Sequence, residues 1–258
     1  MEVCRHAGCE WPDRSTDDGT LALPSADCTM LTGLSRLALE VKFLEPARRF
    51  YGGELGMAVR ERGESELVFA AGDTDLVCRR PTGFPRGGLH THYALSIPAE
   101  EYDEWWESLE ESHDLEEMRF GEASSLYLYD PDGNCVELGQ RDVPGPGIDG
   151  IFEVVLEVES VDRAESFYAD LGFETIDTGT ERKRVRMDGP MALELWEPQL
   201  GLADARGGVH VDLGFDAPDP TAALEAVVDR ACRVESLEDG DRTRVVVRDP
   251  DGHHLVFE

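Results

Sequence analysis

The chain has 258 residues, 41% of them hydrophobic, and carries 55 acidic against 24 basic residues for a formal net charge of −31. That length can bury a core in each of two ordinary domains. The aromatic and branched content excludes a disordered acidic protein, and the charge excludes nucleic acid and anionic membranes as partners. No apolar run is long enough to span a bilayer, and the N-terminus has no apolar signal region, so a cytoplasmic protein is expected. Acid spread along the whole chain, with only Lys42 and Lys183 as lysines, is the surface expected of a halophilic, high-salt cytoplasm.

Residues 1–32 have no hydrophobic period and are expected to be a disordered leader, or to lie upstream of a true start at Met30. Three of the six cysteines (Cys4, Cys9 and Cys28) fall there. The spacing Cys4-x-His6-x-x-Cys9 is half of a metal motif with no second half, so no metal site is expected in it.

From residue 33 the apolar positions alternate as a strand (GLSRLALEV). Glu45-Pro46 then opens a helix with Phe50, Tyr51 and Leu55 on its apolar face, ended by Gly56. Strands follow to Arg80, and LHTHYALSI (89–97) is another. Residues 100–113 read as a helix with Tyr102, Trp105, Trp106 and Leu109 inside. A hairpin turning at Asp130-Pro131-Asp132-Gly133 closes this half, and its second strand carries Glu137 among apolar neighbours.

Residues 142–149 are a Pro/Gly linker between domains at 33–141 and 150–258. After it the pattern repeats at a spacing of about 117 to 120 residues. GIFEVVLEV answers GLSRLALEV, SFYADLGF answers RFYGGELGM, GGVHVDLGFDAP answers GGLHTHYALSIP, and Asp249-Pro250-Asp251-Gly252 answers the first hairpin. In the second hairpin Val256 stands where the first has Glu137.

Paired βαβββ units with FY…LG in the first helix and DPDGN-x-x-E in the last hairpin resemble the vicinal oxygen chelate superfamily. Its members include glyoxalase I, bleomycin resistance proteins and extradiol dioxygenases. The resemblance covers residues 34–258 and implies an α+β fold of four βαβββ modules, whose mixed sheets curve into cups with the helices outside. It also implies metal ligands on the first and last strands of the modules. Carried over by position, these are Arg36 and Glu153 on the first strands, Val77 and Glu194 on the fourth, His92 and Asp212 on the fifth, and Glu137 and Val256 on the last. The strand of Glu194, ALELWEP, resembles the glyoxalase I ligand strand. Neither half alone offers a good set. Pairing the first module of half two with the second of half one gathers His92, Glu137, Glu153 and Glu194 in one cup. The other cup is left with Arg36, Val77, Asp212 and Val256, in which Arg36 is expected to pair with Asp212.

An oxygen-rich set with one imidazole suits a divalent Fe, Mn, Co, Ni or Zn ion. The resemblance then implies a small-molecule substrate and glyoxalase I-type lyase or isomerase chemistry through a metal-bound enediolate, with Glu137 or Glu194 moving the proton. An extradiol ring-cleaving dioxygenase using Fe(II) is the alternative, with His90 or His254 as base. A non-enzymatic binding or resistance protein of the same fold is a further one. His90 and His210 lie two residues from the chosen fifth-strand positions and could supply the imidazoles instead. His254 is read as a cleft residue, Trp105 and Trp106 as packing, and the protein as a monomer or homodimer.

Overall fold

The computed structural model describes residues 30–81, 88–181, 183–198, 208–239 and 242–258. The leader and its three cysteines therefore lie outside the described residues, as does the side chain of His210. Among the described residues no helix is long and apolar enough to cross a membrane.

Four modules follow one another. The first is β1 (Gly33–Glu40), α1 (Leu44–Ala47, running on as a π-helical segment, Arg48–Glu54), β2 (Val59–Arg62), β3 (Glu66–Ala71) and β4 (Thr74–Arg79). The second is β5 (Gly88–Pro98), α2 (Tyr102–Leu109), β6 (Glu116–Phe120), β7 (Ala123–Tyr129) and β8 (Cys135–Arg141). The third is β9 (Gly150–Glu157), α3 (Val161–Asp170), β10 (Glu174–Thr178), β11 (Arg184–Asp188) and β12 (Ala192–Trp196). The fourth is β13 (Gly208–Asp216), α4 (Pro220–Val227), β14 (Arg233–Asp239), β15 (Arg242–Arg248) and β16 (His254–Phe257).

The modules pair crosswise. β9 runs antiparallel to β5, giving a sheet in the order β10-β11-β12-β9-β5-β8-β7-β6. β1 runs antiparallel to β13, giving the order β2-β3-β4-β1-β13-β16-β15-β14. Each eight-stranded sheet thus draws one module from each half of the sequence, and a short β5–β13 pairing joins the two. The core is contiguous across both sheets and takes in residues of all four helices, among them Phe50, Leu109, Phe167 and Val227. β5 is buried almost end to end because it sits mid-sheet and is covered on both faces.

The repeated motifs have a structural job. Tyr51 and Tyr168, each in the first helix of its half, are wholly buried. Their hydroxyls donate to Asp130 Oδ2 (2.7 Å) and Asp249 Oδ2 (3.0 Å), the first residues of the two turns. The third residues, Asp132 and Asp251, accept from the backbone N–H of Lys42 and Glu159, each at 2.7 Å. Gly133 and Gly252 take the positive φ the turns require. Gly56 and Gly172 do the same after the helices. The FY…LG and DPDG signatures therefore lock each outer helix to its last hairpin, and their chemistry is architectural.

Tyr168→Phe removes the hydroxyl donor from Asp249 Oδ2 at a fully buried position. It should lower stability by about 1–3 kcal/mol in urea unfolding without changing metal binding, the ordinary cost of an unsatisfied buried acceptor.

Candidate metal centre

The antiparallel seam of β5 and β9 sets Ala94 opposite Glu153 and His92 opposite Val155. The parallel β5–β8 pairing sets Ala94 beside Glu137. One face of three adjacent strands therefore presents His92, Glu137 and Glu153 together. All three are buried, at 3%, 3% and 5% exposure. His92 Nε2 lies 3.3 Å from Glu137 Oε2 and 3.5 Å from Glu153 Oε1. The three ligand atoms lie within 4.8 Å of one another. Those separations fit donors sharing one ion at about 2.0–2.3 Å from each.

Each ligand is oriented by neighbours. On β7, Ser125 Oγ donates to Glu137 Oε1 (2.7 Å) and Tyr127 OH donates to Glu137 Oε2 (2.8 Å). Burial pushes the Glu137 carboxyl up, and His92, Ser125 and Tyr127 bring it below its usual range. Burial pulls the His92 imidazole down, but Glu137 and Glu153 reverse that and carry it up to about 9. Tyr127 is pushed far up by burial and the facing Glu137 carboxylate.

Glu194 stands at the next position outward, also buried. Trp196 Nε1 donates to its Oε2 (2.7 Å) and Arg186 to its Oε1 (3.0 Å). The same Arg186 guanidinium contacts Glu153 Oε2, so Arg186 bridges Glu194 to the cluster. Of the four ligand positions expected from sequence, the structure gathers His92, Glu137 and Glu153. It places Glu194 alongside, one guanidinium away.

These groups share a cavity of about 560 Å³, whose lining includes His92, Glu137, Glu153, Glu194, Tyr127, Trp196, Arg141, Arg184 and Arg186. Met118 and Phe120 of β6 and Asp177 of β10 line it too. These strands are the two outer edges of one sheet, so that sheet curls into a trough around the cavity. His90 is buried away from the lining, and its ring is held low, at about 3, by burial and by nearby His92 and His253. His254 does not line the cavity either.

Charge tests whether the residues suit a cation. Of the three buried carboxylates, Glu194 faces Arg186 and Arg184, and Glu153 Oε2 faces Arg186. Glu137 and Glu153 Oε1 face His92 instead, and a divalent ion beside that imidazole would stabilise carboxylates that are costly to bury alone. The residues fit the ion.

Among the described residues, the equivalent cup of the other sheet holds no such set. Arg36 Nε donates to Asp212 Oδ1 at 2.6 Å, and Arg79 NH1 reaches Asp212 Oδ2 at 3.1 Å. Arg36 also pairs with Glu258 (2.7 Å) and Arg79 with Glu66 (2.8 Å). The expected Arg36–Asp212 link between the halves is present, within a larger network. Gly214, opposite Arg36 on β13, leaves room for it: a Cβ there would lie 2.7 Å from Arg36 Cγ. Cross-strand pairs show the same divergence. Where one cup has Arg186 opposite Glu194 and Tyr127 opposite Glu137, the other has Val68 opposite Val77 and Val246 opposite Val256. Ala38, Val68 and Val77 form a small apolar plug.

Sequence reasoning did not single out Arg141, Arg184, Arg186, Ser125, Tyr127 or Trp196. The signal was there in the strand period: Arg184 and Arg186 alternate on β11, and a turn near Gly189 sets Arg186 opposite Glu194.

No protein-family model matches the chain. By sequence, 115 residues are 29% identical to glutathione transferase FosA of Serratia marcescens, covering 42% of this chain and 81% of that protein. By structure, a candidate dioxygenase from Bacillus subtilis superposes with a TM-score of 0.70 at 16% identity, covering 89% of this chain and 85% of the other. Glyoxalase I from Zea mays superposes at 0.65 and 17% identity, covering 87% and 91%. The chain has the fold of the vicinal oxygen chelate superfamily.

Replacing Asp212 by Ala takes one carboxylate from Arg36 and Arg79, which keep Glu258 and Glu66 as partners. It should cost about 1–3 kcal/mol in urea unfolding, the scale of a lost charge-assisted hydrogen bond. The triple change Arg36→Met, Arg79→Met, Asp212→Leu should cost less, since Glu66 and Glu258 keep solvent access. Equal or greater loss in the triple variant would contradict a purely structural role for the network.

Proposed function

We propose that this chain is a metal-dependent enzyme of the glyoxalase I kind, shifting a proton between neighbouring carbons of a small oxygenated substrate. The observation that carries the reading is the buried His92–Glu137–Glu153 cluster in the wall of a cavity large enough for a small molecule. His92, Glu137 and Glu153 would hold one divalent Fe, Mn, Co, Ni or Zn ion. Such an ion supplies a Lewis acid that polarises substrate oxygens.

The remaining work belongs to the protein. Glu194 lines the cavity outside the cluster, with one oxygen fixed by Trp196 and the other by Arg186. A carboxylate so placed can take a proton from a substrate carbon and return it to the neighbouring one. Glu137 is the second candidate for that role, with both its oxygens oriented by Ser125 and Tyr127.

A ring-cleaving dioxygenase needs a second histidine as base, and among the described residues lining the cavity His92 alone is an imidazole. A simple binding protein is served by an apolar cup, whereas this wall carries ordered carboxylates and guanidinium groups. The Serratia relative is named as a glutathione transferase, so thiol-bearing substrates belong in the assay.

Purified protein loaded with Mn²⁺ or Co²⁺ should retain about one ion through dialysis. His92→Ala should weaken retention by roughly 100-fold or more, beyond the ~10–100-fold typical of residues that only orient ligands. Glu194→Gln should keep the ion and lose turnover of hemithioacetals formed from 2-oxoaldehydes and thiols. Full turnover in Glu194→Gln would remove that residue from the mechanism, and oxygen uptake with catechols would replace the isomerase reading by the dioxygenase one.

A further inference from the structure

Among the described residues the cavity contains one guanidinium without an ion-pair partner. Arg141 follows Glu137 by four residues on β8, so both project to the same face, and both line the cavity. The other two arginines there are engaged: Arg184 with Asp177 at 2.7 Å, Arg186 with Glu153 and Glu194. Arg141 makes no ion pair among the described residues. It donates from NH1 to the carbonyl of Gln140 at 2.9 Å. In a chain with more than two acids per base, a half-buried arginine left without a carboxylate is a departure from the surrounding chemistry.

Its placement is built. The guanidinium carbon sits 3.6 Å from the centre of the Phe152 ring, within stacking range. Gly139, two residues before it, makes room for that ring: a Cβ there would lie 2.8 Å from Phe152 Cζ. Stacking fixes the plane of the fork and leaves its outer N–H edges available. Burial works against the charge of Arg141, while the nearby Glu137 and Glu153 carboxylates favour it.

We infer that the substrate carries a carboxylate seated on Arg141, while its other oxygens face the His92–Glu137–Glu153 centre. A planar carboxylate matches both the bidentate fork and the single charge. A dianion is poorly suited to a wall that already holds Glu137, Glu153 and Glu194. Met118 and the 57% exposed Phe120 at the rim suit the carbon skeleton. The inference rests on the metal reading above and assigns the substrate class for that centre.

Two hydroxamates test it, alike in length and in the chelating end. Succinic monohydroxamate ends in a carboxylate and butyrohydroxamate in a methyl group. Their binding to the Mn²⁺-loaded protein is measured by calorimetry, with Mn²⁺ retention measured separately. The wild type should prefer the carboxylate-bearing probe by about tenfold or more, the scale of a charge-assisted pair. Arg141→Gln should erase the preference while holding Mn²⁺ and butyrohydroxamate within about threefold of wild type, which also shows that the variant is folded. Arg141→Lys, with the charge but not the fork, should fall between. Mn²⁺ held with no preference in the wild type, or the full preference kept in Arg141→Gln, would overturn the inference and leave the metal centre standing. Failure of the wild type to hold Mn²⁺ would take both down.

Discussion

Everything at the candidate centre depends on the antiparallel seam between β5 and β9. His92 and Glu137 belong to one half of the sequence and Glu153 to the other, and that seam closes the distance between them. A cup closed within one half would set His92 and Glu137 against Arg36 and Val77, with no third acid for a cation. The seam also fixes which face each residue takes, since a one-residue slip would turn Glu153 away from the cavity. Two register shifts in the pairing, at 90–92 and 94–95, flank this cluster.

The two cups are the same architecture put to opposite uses. Both inherit the helix-to-hairpin lock of Tyr51 with Asp130 and of Tyr168 with Asp249. In one cup the inward cross-strand pairs are charged or polar and surround a cavity. In the other, valines fill the equivalent positions, and the remaining acid, Asp212, lies between two guanidinium groups. An ion pair supplies there the charge balance that a divalent ion would supply at the centre. The Arg36–Asp212–Arg79 network ties the halves together in one cup, and the other cup keeps an open cavity.

Much of this was legible in the chain. The repeat placed equivalent residues on equivalent strands, and the complementary loss of ligands between halves pointed to crosswise closure. Arg36 and Asp212 followed from the same logic, because a carboxylate facing a cleft needs an answer. The arginines were harder to see. With 55 acids available, nothing in composition marks Glu194 as a partner of Arg186. Only the register of β11 on β12 reveals it. Arg141 was hidden for a different reason: among the described residues it makes no ion pair, which a sequence does not display. His90 reads in sequence as an alternative ligand. The bulge beside it puts it in the interior, next to Asn134 and His253.

The central claim is that one cation binds where the two halves meet. Anomalous diffraction from crystals grown with Mn²⁺ or Co²⁺ addresses it without reference to any substrate. A single strong peak about 2.0–2.3 Å from His92 Nε2 and from a carboxylate oxygen of both Glu137 and Glu153 is the expected result. A peak elsewhere, or ligands drawn from one half of the chain alone, would contradict the crossed centre.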